Sequence, residues 1–221
     1  MSTLCDALVT VTESTPMEFD LTALEPMDRY RLLTNFVGPR PIALVTTRSA
    51  NGHSNGAPMS FFNVFSHDPA IVALGIQPRL NGQEKDTVAN IRRTNEFTVN
   101  MVDMPLAETM LICGLPVDAD TDELALAEAE TAPGAQVDCV YLPASPCAME
   151  CRVERIIEYP RRVIILGEVV HMHIRPDCLD EQQRYVNPEV YHPIARLHAD
   201  NYIVSDQQFV LKAPALADLK K

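Results

Sequence analysis

Two short stretches of the chain gather side chains able to hold a ligand. The first is Ser60-Phe61-Phe62-Asn63, which sets a hydroxyl, two rings and an amide in consecutive positions. It follows Gly56 and Pro58, which interrupt what otherwise reads as a β-strand. Proline cannot donate to a ladder, and glycine in a strand often marks the close approach of a ligand or another backbone. A strand that breaks its ladder there can line a flat molecule, although periodicity alone favours an irregular strand with a Phe pair in the core. The second stretch is Lys85-Asp86-Thr87, at the opening of a predicted helix. First-turn N–H groups lack intrahelical partners and the helix dipole is positive there, so anions bind without special arrangement. Lys85 adds a full charge and Thr87 a hydroxyl; a solvated Lys beside an Asp cap is the plainer alternative. Thr46, Thr47 and Arg48, where an apolar run turns polar, offer further donors, with Arg40, Arg92 and Arg93 in reserve.

Other reactive residues give weaker signals. His171 and His173 share one face of a predicted strand, and Cys178, His192 and His198 follow in sequence. Two His on a face can ligate a metal. No defined ligand spacing accompanies them, so a hydrogen-bonded or solvent-facing pair is expected, and no metal. The six cysteines include no C-x-x-C pair. In a chain of this size they read as reduced, mostly buried thiols of a cytoplasmic protein. There is no G-x-S-x-G elbow and no G-x-G-x-x-G, so no separate Rossmann domain is expected.

The elements that must position these residues are mostly strands. Pro26 to Phe36 reads as a helix, with Pro at its start and Gly38-Pro39 at its end. An apolar run from Ile42 to Val45, the break Asn51-Gly52 and a second run to Phe65 predict a hairpin with a type I′ turn. Further strands are expected at Ala70 to Ile76, Glu96 to Val102, Met149 to Glu158 and Val163 to Ile174, and helices at Asp86 to Thr94 and Leu106 to Cys113. In the last of those strands, Ile164, Leu166, Val170, Met172 and Ile174 form the apolar face. A short helical piece is expected near Glu181 to Tyr185, and Arg196 to Val204 is expected to return to the barrel. Asp118 to Glu130 carries acids and no base, and reads as a solvated helix or loop, with a lid or dimer-edge insertion as the alternative. About six mostly antiparallel strands with short turns close into a small Greek-key barrel, which removes exposed edges.

The formal charge of −12 argues against nucleic-acid or anionic-membrane binding. No apolar run is long enough to span a bilayer, and Met1 to Asp20 lacks a basic n-region, so no secretory signal is expected. Residues 1–20 are expected to be an arm, 21–205 the domain, and 206–221 a tail.

The chain resembles the flavin reductase-like family of FMN-binding split barrels, which includes flavoredoxins and the reductase components of two-component monooxygenases. The matching residues are Pro39-Arg40-Pro41-Ile42-Ala43-Leu44-Val45, Ala57-Pro58-Met59-Ser60-Phe61-Phe62-Asn63, Lys85-Asp86-Thr87 with Asn90-Ile91, and Glu96-Phe97-Thr98-Val99-Asn100. Glu150-Cys151-Arg152-Val153, Leu166-Gly167-Glu168-Val169-Val170 and Arg196-Leu197 with Tyr202 follow in the family's order. Where the family often has a Gly pair, this chain has His198-Ala199. The resemblance implies a mainly β fold with flanking helices, an antiparallel Greek-key split β-barrel of the FMN-binding type. It implies phosphate near Lys85, Asp86 and Thr87, with the flavin ring along Ser60, Phe61, Phe62 and Asn63. It also implies NADH or NADPH stacking directly on the flavin, hydride delivered to N5, and a homodimer with flavin near the subunit interface. A partner monooxygenase would fit such a reductase. The alternative is a non-enzymatic FMN-binding electron carrier or sensor.

Overall fold

Strand residues that alternate between two faces, broken by Gly, Pro and Asn turns, build one large sheet. The computed structural model describes residues 16–79, 81–118 and 120–215. Residues 1–15, with Cys5 and most of the expected arm, and 216–221 of the expected tail lie outside the described residues. The strands are β1 (Arg40–Pro41), β2 (Ala43–Arg48), β3 (Ser54–Met59), β4 (Phe62–His67), β5 (Ala70–Ile76), β6 (Glu96–Met101), β7 (Ala132–Pro133), β8 (Val140–Tyr141), β9 (Cys147–Tyr159), β10 (Arg162–Ile174), β11 (Ile194–Arg196) and β12 (Tyr202–Val204). The helices are α1 (Pro26–Phe36), α2 (Asp86–Thr94), α3 (Ala107–Cys113) and α4 (Glu123–Leu126).

Seven strands pair in the order β3-β2-β6-β9-β10-β5-β4. Strands β3 and β4 are consecutive in the chain yet occupy opposite ends of this order, so the sheet curls until its edges meet at Ser60-Phe61. Inside, Ala43, Val45, Leu74, Phe97, Val99 and Ile165 pack together, and Val88 and Ile91 of α2 join them. Phe97 is fully buried, which stabilises by about 1.5–3 kcal/mol for a side chain of this size. Gly167 makes room for it: a Cβ there would lie 2.4 Å from Phe97 Cζ. A second core, with Leu44, Leu106, Met110, Leu124 and Leu142, lies on the outer face of β2 beneath α3 and α4. The fold is the expected one, mainly β with flanking helices in a split antiparallel barrel.

Several local expectations differ from what forms. Only Gly52 takes a positive φ in the first hairpin, at 87°. Its N–H donates to Ser49 O and Ser49 N–H to His53 O, so the loop is a turn over Ala50-Asn51 followed by a left-handed Gly, not type I′. In β10 the buried residue is Ile165, while Met172 and Ile174 of the expected apolar face are 48% and 41% exposed. Of the two register shifts, the one at Leu166/Gly167 places the extra residue, Glu154, in β9; the one at Val169/His171 places it, Val170, in β10 and changes the parity of that strand. No helix forms at Glu181 to Tyr185. Residues 194–204 do not join the barrel; β11 pairs with β1 on one side and β12 on the other in a separate three-stranded sheet. The acidic stretch is not simply solvated: Glu123 is buried and accepts the Gly56 N–H, and Asp122 accepts the Ser54 N–H. These are N–H groups of the edge strand β3, so α4 covers an edge that would otherwise invite pairing. Among the described residues, no helix is long and apolar enough to cross a membrane.

Candidate functional site

The first N–H groups of α2 are left without a side-chain cap. Lys85 is the N-cap residue, extended at φ −75° and ψ 146°, and no side chain caps the helix. The cap expected from Asp86 or Thr87 does not form. Instead the Asp86 carboxylate pairs with the Arg79 guanidinium. Thr87 is buried, and its hydroxyl makes no hydrogen bond among the described residues. Lys85 is part-buried and likewise has no hydrogen bond or ion pair among them. Its pKa is held below the ordinary lysine range, first by burial and then by the Arg79 charge. An unpaired, partly desolvated cation is unfavourable, and a phosphate dianion at the free N–H groups of α2 relieves it. The residues present therefore fit a phosphorylated cofactor at this end.

The other cationic candidates are already engaged. Arg40 is buried and donates to the carbonyls of Thr34, Val37 and Leu197, joining α1 to the loop after β11. Arg48 pairs with Asp138, Arg92 with Glu84 and Glu158, and Arg93 donates to the Arg48 carbonyl. Arg79, which the sequence reading passed over, is the cation that joins Lys85.

The ring-binding candidates divide. Ser60 lines a cavity of about 240 Å³ together with Ile42, Met59, Leu111, Arg196 and Tyr202. Phe61 is exposed, with the Arg162 guanidinium 4.8 Å above its ring centroid and Tyr30 6.3 Å away. Its carbonyl accepts the Gly75 N–H at 2.8 Å. Phe62 turns into the barrel core, so its ring is packed against other side chains and not against a ligand. Asn63 is exposed on β4, and its side-chain oxygen accepts the Val64 N–H. Thr46 lies under the β7–β8 hairpin, where its hydroxyl donates to Val140 O. Thr47, fully buried, accepts from Asn90 Nδ2 at 3.1 Å and fastens α2 to β2. The structure thus gathers Lys85, Asp86 and Thr87, leaves Ser60 and Phe61 at the barrel seam, and commits Thr46 and Phe62 to packing.

A second cavity, of about 260 Å³, holds Asp86, Asn90, Asn55 and His53. Each cavity is smaller than the roughly 300–1,000 Å³ usual for small-molecule pockets. The thiols are not poised for chemistry. Burial pushes Cys113 and Cys139 up to about 12 and Cys147 up to about 11, so they stay protonated near neutral pH. Beside the first cavity, Arg196 donates to Tyr202 Oη and to Ala199 O. Ala199 sits at φ 48°, so the backbone takes a left-handed bend at the position where the resemblance implies a Gly pair.

A split antiparallel barrel is the fold of flavin reductase-type proteins. The chain matches the Flavin reductase like domain over residues 38–195 and belongs to that family. It is 37% identical over 184 residues to an uncharacterized protein of Deinococcus radiodurans, covering 81% of each chain. Among solved structures it is similar to the 2-nitrobenzoate 2-nitroreductase NbaA of Pseudomonas fluorescens, at 32% identity and TM-score 0.82, covering 90% of this chain and 98% of that one. Nitrilotriacetate monooxygenase component B of Bacillus cereus is similar at 26% identity and TM-score 0.84, covering 90% of this chain and all of the other.

Proposed function

We propose that the chain binds FMN and, with NADH or NADPH as electron donor, reduces flavin or another small acceptor. The observation that carries this reading is Lys85, part-buried beside Arg79 at the uncapped start of α2 with no anionic partner among the described residues. When bound, FMN supplies the redox chemistry through its isoalloxazine ring. Lys85, Thr87 and the first N–H groups of α2 hold the phosphate. Arg79, oriented by Asp86, keeps the local potential positive in a chain of charge −12. Ser60 and the backbone at the Ser60-Phe61 break face the ring, and Phe61 under Arg162 forms an outer wall. Asn63 stands at the rim of the same strand.

The working form in this reading is a homodimer. Neither cavity of one chain is large enough to enclose the cofactor. Val64 and Phe65 on β4, Met172 and Ile174 on β10, and Phe36 of α1 expose apolar side chains that a second copy would cover. Similarity to a monooxygenase component and to a nitroreductase supports two kinds of acceptor, flavin passed to a partner monooxygenase or a small nitroaromatic.

The test is a titration of the purified protein with FMN, followed by absorption spectra before and after NADH or NADPH is added. Saturable binding and bleaching of the flavin bands are expected. Lys85→Ala with Thr87→Ala should weaken FMN binding at least about tenfold, the loss of one charge-assisted hydrogen bond or more, with far-UV circular dichroism unchanged. Failure to bind FMN removes the proposal. FMN binding without steady-state oxidation of either nicotinamide leaves an electron carrier or sensor.

A further inference from the structure

One group of side chains outside the flavin site is unexplained by it. Strands β6, β9 and β10 place Thr98, Glu150 and His171 directly opposite one another. The residue out of register in β10 is Val170, between the pairs Val169–Cys151 and His171–Glu150. This bulge turns His171 and His173 to the side of Glu150, the kind of re-aiming that bulges perform. Glu150 has no solvent exposure. Its carboxylate accepts the N–H groups of Ala135, Gln136 and Val137, and its Oε1 lies 2.5 Å from His173 Nε2. Tyr141 stacks on the His173 ring at 3.8 Å and 7°, and His171 meets that ring edge-on at 4.8 Å.

We propose that Glu150, His171 and His173 form a binding site for a divalent transition-metal ion of the zinc class. One ligand atom from each lies within 4.8 Å of the others. The donor set, two imidazoles and a carboxylate, is one that Zn²⁺ accepts, with a fourth position left for water or a small ligand. Each carboxylate oxygen has about two acceptor directions. The three loop N–H groups fill three of the four, and the remaining one on Oε1 points at His173. Such outer hydrogen bonds hold a ligating carboxylate in place. Ligand atoms about 2.0–2.2 Å from a tetrahedral Zn²⁺ lie roughly 3.3–3.6 Å apart. Nε2 and Oε1 therefore separate by about 1 Å on binding, and His173 coordinates through Nε2 as the neutral tautomer that keeps its hydrogen on Nδ1. His171 and His173 are partly exposed, which gives the ion a way in. A second observation points the same way: the Thr98 hydroxyl, fully buried and directly across from Glu150, has no hydrogen-bond partner among the described residues.

In sequence, no further ligand stands at a defined spacing from His171 and His173, which is why no metal is expected there. Glu150 lies 21 residues before His171 and enters through strand pairing. Cys178, His192 and His198 are not in the group found among the described residues.

The untagged full chain, stripped by chelator and dialysed, is titrated with Zn²⁺ and separately with Co²⁺. About one equivalent per chain, a rise in unfolding temperature with Zn²⁺, and visible Co²⁺ bands of a four-coordinate site are expected. His171→Ala, whose ring makes no hydrogen bond among the described residues, should weaken Zn²⁺ at least about tenfold while the metal-free protein unfolds as before. His173→Ala should do the same, and Glu150→Gln should remove the Co²⁺ bands. Absence of saturable binding, or equal binding in the His171→Ala/His173→Ala double variant, would overturn the proposal. Flavin content, read independently by its own absorbance, keeps this outcome separate from the FMN reading.

Discussion

Glu123 accepts the backbone N–H of Gly56 at 3.2 Å, and both residues are buried. An acid in the most acidic segment of the chain is thereby the cover for the free edge of β3. Burial raises the pKa of this carboxyl above its ordinary 4.5, aided by the charges of Asp86 and Asp122. The folded state thus holds the proton more tightly than the unfolded state. Its contribution is complete below about pH 4.5 and is lost as pH rises through the elevated value. Glu123→Gln keeps an acceptor for Gly56 and cannot ionise. Its unfolding temperature relative to wild type should therefore climb from acid to neutral pH. A constant difference across a thermal-melt series would contradict this.

Gly167 and Phe97 should behave as one packing unit. Gly167→Ala puts a methyl 2.4 Å from Phe97 Cζ and 3.3 Å from Cys151 Cβ, and overpacking of this kind costs about 1–3 kcal/mol. Phe97→Leu, which removes the ring atoms it would strike, should recover part of that loss. A denaturant double-mutant cycle with zero coupling would contradict the contact.

Ala199 carries backbone strain, with a β-carbon at φ 48°. A β-carbon in the left-handed region costs roughly 1–2 kcal/mol, whereas glycine gives back about 0.4–1 kcal/mol through the unfolded chain. Ala199→Gly should stabilise by up to about 1 kcal/mol, a rise of about 2–4 °C for a chain of this length. Scanning calorimetry reads it directly.

Phosphate binding at α2 should be linked to proton uptake. Burial and Arg79 lower the Lys85 pKa; an anion in contact raises it again. In the alkaline range just below ordinary lysine, FMN binding should therefore absorb protons and weaken as pH rises. Calorimetric titrations in two buffers of different ionisation heat measure the uptake, which Lys85→Met should abolish.

Element positions were legible where punctuation was strong. Pro26 and Gly38-Pro39 bracket α1, and apolar spacing with the start at Asp86 gives α2; both form over the expected residues. Faces were less legible. Alternation along β10 misassigned its inner face because an extra residue, Val170, breaks the period partway along, and a bulge leaves no mark in a Val-rich run. Phe61 and Phe62 could not be told apart, since the seam at Ser60-Phe61 decides which ring turns inward. Long-range partners were illegible altogether. Arg79 lies alone in a loop, Glu123 among solvated acids, and Glu150 finds its partners only through register. Thr46 and Thr47 look alike in sequence, yet neighbouring strand residues face opposite sides of the barrel wall.

The strand order carries a last consequence. No ladder joins the two outermost strands of the ring; the peptide backbone through Ser60 and Phe61 links them, and Met59 and Phe62 on either side of it share the core. The link there is covalent and falls at one point of the chain. A circular permutant opened between these two residues would leave side-chain packing alone to hold the two margins together. Proteolytic nicking at the same bond would have the same effect, making this position the natural place to ask whether shape or sequence holds the molecule shut.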